Sequence, residues 1–304
     1  MCSSDLNNGR GIAGIAYNAR IVPARVLGRC GGYTSDIADA MVWASGGTVT
    51  GVPANANKAR VLNLSLGGSG ACDTTTQNAI NSARSRGAVV IVAAGNSNTN
   101  AINASPANCS GVIAVAATNR SGGKASYSNY GTNVTIAAPG GDNGAGILST
   151  LNSGTTTPAA DNYAWYMGTS MATPHVAGVV ALMLSANPSL TPDDVAAKLK
   201  STARAFPAAC SGCGAGIVNA AAAVNAALAS TTTTTPTPTT TVTWTTCASE
   251  GGTCSFSGTR DVRYGTATSY VIKTLTGPVA CTNTVFGDPA RGYVKSCSYS
   301  SVTK

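Results

Sequence analysis

The stretch Gly168-Thr-Ser-Met-Ala-Thr-Pro-His-Val-Ala-Gly-Val-Val-Ala-Leu-Met-Leu184 joins a polar turn carrying a serine hydroxyl to a segment that has no polar face. From Val176 to Leu184 every residue is apolar or glycine. A helix apolar all round belongs inside a large core, and these nine residues are too few to cross a bilayer. Pro174 is read as falling in the first turn, where backbone N–H groups lack partners in any case. Ser170 is thereby placed at the N-terminus of a buried helix, where the dipole favours negative charge. A serine at that position is by default a helix cap; the same position suits a nucleophile whose attack creates an oxyanion.

Upstream, Arg60-Val-Leu-Asn-Leu-Ser65, Ala88-Val-Val-Ile-Val-Ala93 and Gly111-Val-Ile-Ala-Val-Ala116 are short apolar runs of the kind that parallel sheets bury on both faces. Between the first two, Asp73 to Arg86 reads as a helix ended by Gly87. Ser35 reads as the cap of a helix through Asp36, Ile37, Ala40, Met41 and Ala44, and Ala19 to Leu27 as a strand. After the Ser170 helix another runs from Thr191 to Ala203, starting with Pro192. Strand and helix in alternation predict an α/β fold with a doubly wound, mostly parallel sheet. Ligands of such sheets bind at the carboxyl ends of the strands, where Ser65 to Gly67 and Ala93 to Asn96 fall. Gly9-Arg-Gly-Ile-Ala-Gly14 formally matches a dinucleotide fingerprint, with Asp36 beyond it; almost nothing precedes it and no helix follows, so that reading is rejected.

Gly-Thr-Ser-Met-Ala-Thr-Pro-His-Val-Ala-Gly closely resembles the nucleophile motif of subtilisin-like serine proteases. Asn63-Leu-Ser-Leu-Gly-Gly68, Val90-Ile-Val-Ala-Ala-Gly-Asn96, Ser126-Tyr-Ser-Asn-Tyr-Gly131 and Ala138-Pro-Gly140 look like the other segments of that family, in its order. The resemblance runs from about residue 7 to residue 229. It implies hydrolysis of peptide bonds through an acyl-enzyme on Ser170, with the Asn96 side-chain amide and the Ser170 backbone N–H as oxyanion donors. It also implies that Ser65, Leu66 and Gly67 pair with an extended substrate and that Ala93, Ala94 and Gly95 line the other side of the first specificity pocket. Small residues there suit medium or large apolar side chains. Without the family, Asn96 would be an ordinary turn residue.

The base is missing from this pattern. The one histidine, His175, lies five residues after Ser170 and so about 140° round the same helix, which assigns it a structural role. In the family the catalytic histidine lies just before the segment resembling Asn7 to Ala16, and the aspartate earlier still. Asp36 and Asp39 lie in a helix, and Asp142 and Asp161 are read as loop residues. The sequence is therefore expected to be an N-terminally incomplete copy of a secreted endopeptidase, inactive by itself. Two other readings stay open: a non-catalytic homologue that binds extended peptides, and a surface- or carbohydrate-binding protein acting through its C-terminal part.

Only 10% of the 304 residues are charged and 43% are hydrophobic. That composition describes a loop-rich globular protein. The formal charge of +8 is spread from Arg10 to Lys304 without a run, so nucleic acid is not an expected partner; a monomer without a membrane span, acting on protein or peptide substrates, is. Ten cysteines point to an oxidising, extracellular location, although Met1 to Leu6 shows no apolar leader segment. A zinc or redox reading of Cys210-Ser-Gly-Cys213 finds no second such pair. Placement in flanking loops and similarity to disulfide-bearing secreted relatives imply the pairs Cys72–Cys109 and Cys210–Cys213, with Cys30 left over. No cofactor is needed for the chemistry. Structural calcium is common in the family, but Thr135 stands where some relatives have a ligand aspartate, leaving only carbonyls near Ser110 and Val112.

The chain divides into a peptidase-like domain over 1–229, a Thr/Pro linker over 230–241 and a small disulfide-stapled β domain over 242–304. The last carries Cys247, Cys254, Cys281 and Cys297, whose pairing stays open, and seven of the chain's 16 aromatic residues. With Cys254-Ser-Phe-Ser-Gly-Thr259 and Phe286-Gly-Asp-Pro289 it resembles modules appended to secreted bacterial enzymes. Trp244, Tyr264 and Tyr293 are candidates either for a polysaccharide- or surface-binding face or for its small core.

Overall fold

The computed structural model describes residues 11–229, 243–267 and 269–303, which fall into two compact units divided between Thr233 and Thr234. The linker expected over 230–241, the Met1–Leu6 segment, Cys2 and the start of the Gly9–Gly14 motif lie outside the described residues.

In chain order the first unit holds α1 (Thr34–Ala44), β1 (Val61–Leu64), β2 (Gly68–Ser69), α2 (Thr74–Ser85), β3 (Val89–Ala93), β4 (Ala104–Ser105), β5 (Ile113–Thr118), β6 (Ile136–Pro139), β7 (Ile147–Asn152), β8 (Asp161–Tyr166), α3 (Thr169–Ala186), α4 (Pro192–Ser201) and α5 (Ala220–Ala229). Four strands form a parallel sheet in the order β1-β3-β5-β6. All five residues of β3 and all six of β5 are buried, because helices cover both faces. Side chains alternate across a strand. Val89 and Ile91 accordingly join the cluster that includes Val176, Val180 and Met183 of α3, while Val90 and Val92 join the one that includes Ile80 and Ala83 of α2. Each such fully buried Val or Ile contributes roughly 1.5–3 kcal/mol relative to an exposed one.

The helix boundaries have local causes. Asp73 caps α2 by accepting the Thr76 N–H at 2.9 Å, and Gly87, at φ 82°, turns the chain out of the helix and into β3. Thr191 and Asp194 form a reciprocal capping box at the start of α4, with Pro192 as its first residue. The apolar stretch found in the sequence is the middle of an 18-residue helix, α3, eleven of whose residues are buried. By length and composition α3 could cross a membrane, but its apolar surface is packed against β1, β3, β5, β6 and α5.

Four expectations need correction. Ala19 to Leu27 is not a strand, since none of the described residues pairs with it. Ser35 does not cap α1, which begins at Thr34 behind Tyr33. Pro174 is the sixth residue of α3, beyond its first turn. Asp161 opens β8, which pairs with β7 in an antiparallel hairpin. In the second unit Tyr264 is fully buried, which places it in the small core, one of the two places the sequence left open for it.

That second unit holds β9 (Trp244–Ser249), β10 (Thr253–Cys254), β11 (Thr259–Gly265), β12 (Tyr270–Thr276), β13 (Val279–Ala280), α6 (Asn283–Phe286) and β14 (Ser296–Thr303). An antiparallel sheet in the order β12-β11-β14-β9 lies with the short β10–β13 pair, and disulfides join Cys247 to Cys254 and Cys281 to Cys297. In the first unit Cys72 is joined to Cys109 and Cys210 to Cys213, while Cys30 is free and exposed.

Met183→Ala removes a side chain with no exposure from the middle of α3, so unfolding free energy should fall by about 2–5 kcal/mol, against less than about 0.5 kcal/mol for the same change at half-exposed Met167. Urea titration of the two variants measures the contrast, and equal losses would place α3 outside the core. Peptide mapping without reductant should return the four disulfides with Cys30 alkylated in the native protein; Cys30 joined to Cys72 or Cys109 would contradict this topology.

Candidate active site

Ser170 is the second residue of α3 and is half-buried. Its backbone N–H is one of those a helix start leaves without a helical acceptor. Pro174 cannot donate to the Ser170 carbonyl four residues back, so that carbonyl is free of the helix as well. Ser65, just past the end of β1, fills the gap: its Oγ donates to the Ser170 carbonyl at 2.9 Å, and the Ser170 hydroxyl donates to the Ser65 carbonyl at 3.1 Å. Asn63 Nδ2 holds the Ser65 Oγ in turn at 2.9 Å.

Asn96 follows β3 at the same end of the sheet. Its Oδ1 accepts the Thr169 N–H at 2.8 Å and the Thr169 hydroxyl at 2.7 Å, and Thr169 Oγ1 accepts the Gly95 N–H at 3.2 Å. Because both donors engage the oxygen, the amide NH2 is turned away from Thr169. Gly95 sits at φ 105°, and any Cβ there would run into the Asn129 side-chain amide. A side chain at 95 would therefore carry both backbone strain and a clash.

Ala93 and Ala94 are buried, and Gly95 is partly so. Asn129 braces this segment: its Nδ2 donates to the Ala94 carbonyl at 2.9 Å, its N–H to the Gly95 carbonyl at 2.9 Å, and its Oδ1 accepts from Ser97 N and Thr99 N. Across from it, Leu66 packs on the α2 side of the sheet, and a Cβ on Gly67 would meet the Ser105 carbonyl at 2.8 Å. Ala138-Pro-Gly140 also acquires a role, since the Gly140 carbonyl accepts the Gly168 N–H at 3.0 Å and so anchors the turn into α3. Sequence reading assigned no part to Thr169 or Asn129. Both stand inside the quoted motifs, and only the fold reveals that one orients Asn96 and the other supports Ala94 and Gly95.

His175 does not approach the Ser170 hydroxyl. Its Nδ1 bonds to the Met171 carbonyl at 2.8 Å, and a carbonyl can only accept, so Nδ1 carries the proton. Burial pulls its pKa below the ordinary histidine range and outweighs that hydrogen bond, which leaves a neutral ring fixed to its own helix. Asp142 is committed elsewhere: burial disfavours its charge, but hydrogen bonds from Ser126 and Asn143 and the nearby Lys124 outweigh burial and hold its pKa low. Asp36, Asp39 and Asp161 are exposed.

Ser110 offers a carbonyl that Gln77 Nε2 already occupies at 3.1 Å, Thr135 Oγ1 accepts the Ala114 N–H at 3.2 Å, and the described residues hold no group of three carboxylate, His or Cys ligands.

Residues 3–216 match the family described as the subtilase family. Over 223 residues the chain is 66% identical to an extracellular protease of Xanthomonas campestris pv. campestris, covering 73% of this chain and 38% of that protein. An extracellular basic protease of Dichelobacter nodosus is 47% identical over 225 residues, covering 72% of this chain and 37% of the relative. Subtilisin Savinase of Lederbergia lenta is 39% identical over 219 residues, 72% of each chain. Among solved structures, a protease of Pseudoalteromonas arctica superposes with a TM-score of 0.73 at 59% identity, covering 74% of this chain and 68% of that one. The chain thus spans under two fifths of the length of the first two relatives, and by motif order, sheet order and these matches it belongs to the subtilase family of serine proteases.

Proposed function

We propose that the protein is a secreted serine endopeptidase of the subtilisin type, with Ser170 as nucleophile and Asn96 as oxyanion donor. The observation that carries this is the Thr169 clamp, whose two hydrogen bonds to Asn96 Oδ1 direct the amide NH2 away from Thr169 at the start of the helix that bears Ser170. An oxyanion formed at the Ser170 hydroxyl would meet that NH2, the Ser170 N–H and the positive end of α3. An extended substrate would lie along Ser65, Leu66 and Gly67, with its specificity side chain between that segment and Ala93, Ala94 and Gly95. The extracellular relatives and the four disulfides support secretion.

Attack by Ser170 on a peptide carbonyl forms the Oγ–C bond and must release the Oγ proton to a base, which later protonates the leaving amine. Within this sequence the one histidine is committed to Met171, and the hydroxyl proton points to the Ser65 carbonyl, which is no base. Residues 1–304 alone therefore bind extended peptides without turning them over, and the base and its carboxylate come from outside them.

Incubation with a serine-directed fluorophosphonate should leave Ser170 of this chain unlabelled, while a longer chain that supplies the base should label there stoichiometrically. Labelling of the present chain together with peptide turnover would demand another base. In the longer chain Asn96→Ala should lower kcat by about 10²–10³ with little change in KM, a magnitude that is the measured effect of removing the oxyanion amide in subtilisin itself. Unchanged kcat would remove Asn96 from the oxyanion site.

A further inference from the structure

The four-stranded sheet of the second unit turns Val262 and Tyr264 of β11 into its core, so the alternate residues Asp261 and Arg263 stand on the opposite face. The register places Tyr270, Ile272 and Thr274 of β12 on that same face, and, on the far side of Ser298, Thr246 and Trp244 of β9. Tyr270 is 46% and Ile272 47% exposed. The Arg263 guanidinium carbon lies 5.1 Å from the centroid of the Trp244 ring and 5.1 Å from that of Tyr270. Two rings thus hold one flat, partly buried cation on the sheet face opposite the core.

What distinguishes Arg263 is what it lacks. Arg260, three residues earlier on the same strand, gives its N–H groups to the carbonyls of Ser257, Ser300 and Ser301. The Arg263 guanidinium makes no hydrogen bond or ion pair among the described residues. Residues 242–304 carry six basic side chains against three acidic ones. Two of those acids, Glu250 and Asp288, are bound to Lys295, and the third, Asp261, accepts from Thr274 at 2.6 Å. The face therefore presents an ordered guanidinium fork beside exposed ring and aliphatic surface, bordered by the Thr246–Ser298 and Thr274–Asp261 hydroxyl contacts.

We propose that this face binds a carboxylated polysaccharide, with Arg263 taking a uronate carboxylate on two N–H groups and Tyr270 with Ile272 covering the C–H face of the sugar ring. A planar fork matches a carboxylate bidentately, and orienting the fork beforehand lowers the ordering cost of binding. Hydroxyls that both donate and accept suit sugar hydroxyls. A peptide added as a strand would use an edge, β12 or β9, and leave this face bare. The proposal is independent of the peptidase reading, since all its residues lie in the second unit.

The test is affinity electrophoresis of the full 304-residue chain in gels containing polygalacturonate, fully methyl-esterified polygalacturonate or poly-L-glutamate. Polygalacturonate should retard the protein and the other two should not. Arg263→Gln should weaken that retardation by about tenfold or more, as expected for loss of a charged bidentate contact. Arg291→Gln, which removes an equal charge from an exposed loop position, should leave it within about twofold, the usual scale for a surface contact. Thermal unfolding of each variant checks the fold, and Arg263→Lys, which keeps the charge without the fork, covers the case in which the Gln variant unfolds, with the same loss expected. Absence of retardation, equal retardation by the ester or by poly-L-glutamate, or equal loss in Arg291→Gln would each overturn the proposal.

Discussion

Pro174 governs how the Ser170 helix meets the sheet. As the sixth residue of α3 it withholds the N–H that would have bonded the Ser170 carbonyl. An unpaired carbonyl in a half-buried position is costly, and Ser65 Oγ supplies the missing donor at 2.9 Å. The Ser170 hydroxyl returns the contact to the Ser65 carbonyl at 3.1 Å, so the end of β1 and the start of α3 hold each other in two places. Thr169 repeats the device one residue earlier, tying Asn96 and Gly95 at the end of β3 to the same helix turn. Two strand ends are thereby fixed against one helix start, and the width between Ser65 and Asn96 follows from hydrogen bonds instead of from loop length.

Much of this was legible because long apolar runs leave few choices. β1, β3 and β5 read as buried strands from Val, Ile and Leu between small residues, and α3 read as a buried helix from nine residues without a polar one. The hairpin β7–β8 was not legible, for Ser149, Thr150, Asn152 and Asn162 give it the composition of a loop; only pairing from Ile147–Tyr166 to Asn152–Asp161 makes it a sheet. Ala19 to Leu27 failed the other way, showing strand-like residues with no neighbouring strand among the described residues. Period-2 patterning reports a surface that would suit a sheet; whether a partner strand exists is a tertiary fact. Tyr264 shows the same limit, as an aromatic residue between Arg263 and Gly265 could face either way until β11 finds its register with β12 and β14.

The candidate site divides along the same line. Ser170 and Asn96 were visible because each stands in a long motif, whereas Thr169 and Asn129 act through partners 73 and 35 residues away in sequence. Their work is to aim an amide and to support a backbone, and nothing in local composition signals it. His175 illustrates the converse: a residue type associated with catalysis turns out to be neutralised by burial and bonded one turn back to Met171. The helix that carries Ser170 at its start thus also holds His175 away from the Ser170 hydroxyl.

The second unit manages charge in two opposite ways. Lys295 is almost wholly buried, and its ammonium is matched by Glu250 at 3.3 Å and Asp288 at 3.2 Å. Tyr264 adds its hydroxyl to Glu250 at 2.8 Å, and burial together with that carboxylate pushes the phenol up to about 12, so it remains a donor across the neutral range. A buried charge left unmatched would cost several kcal/mol, which explains why two of the unit's three carboxylates are spent on Lys295. Arg263 stands under a smaller demand, because it is only partly buried, on the sheet face opposite the core. Yet it is ordered by two rings, and a surface arginine serving solubility alone would need neither. Neutralising the interior and leaving one oriented cation outside gives the unit a directional charge, and a directional charge is what distinguishes a recognition surface from a merely basic one.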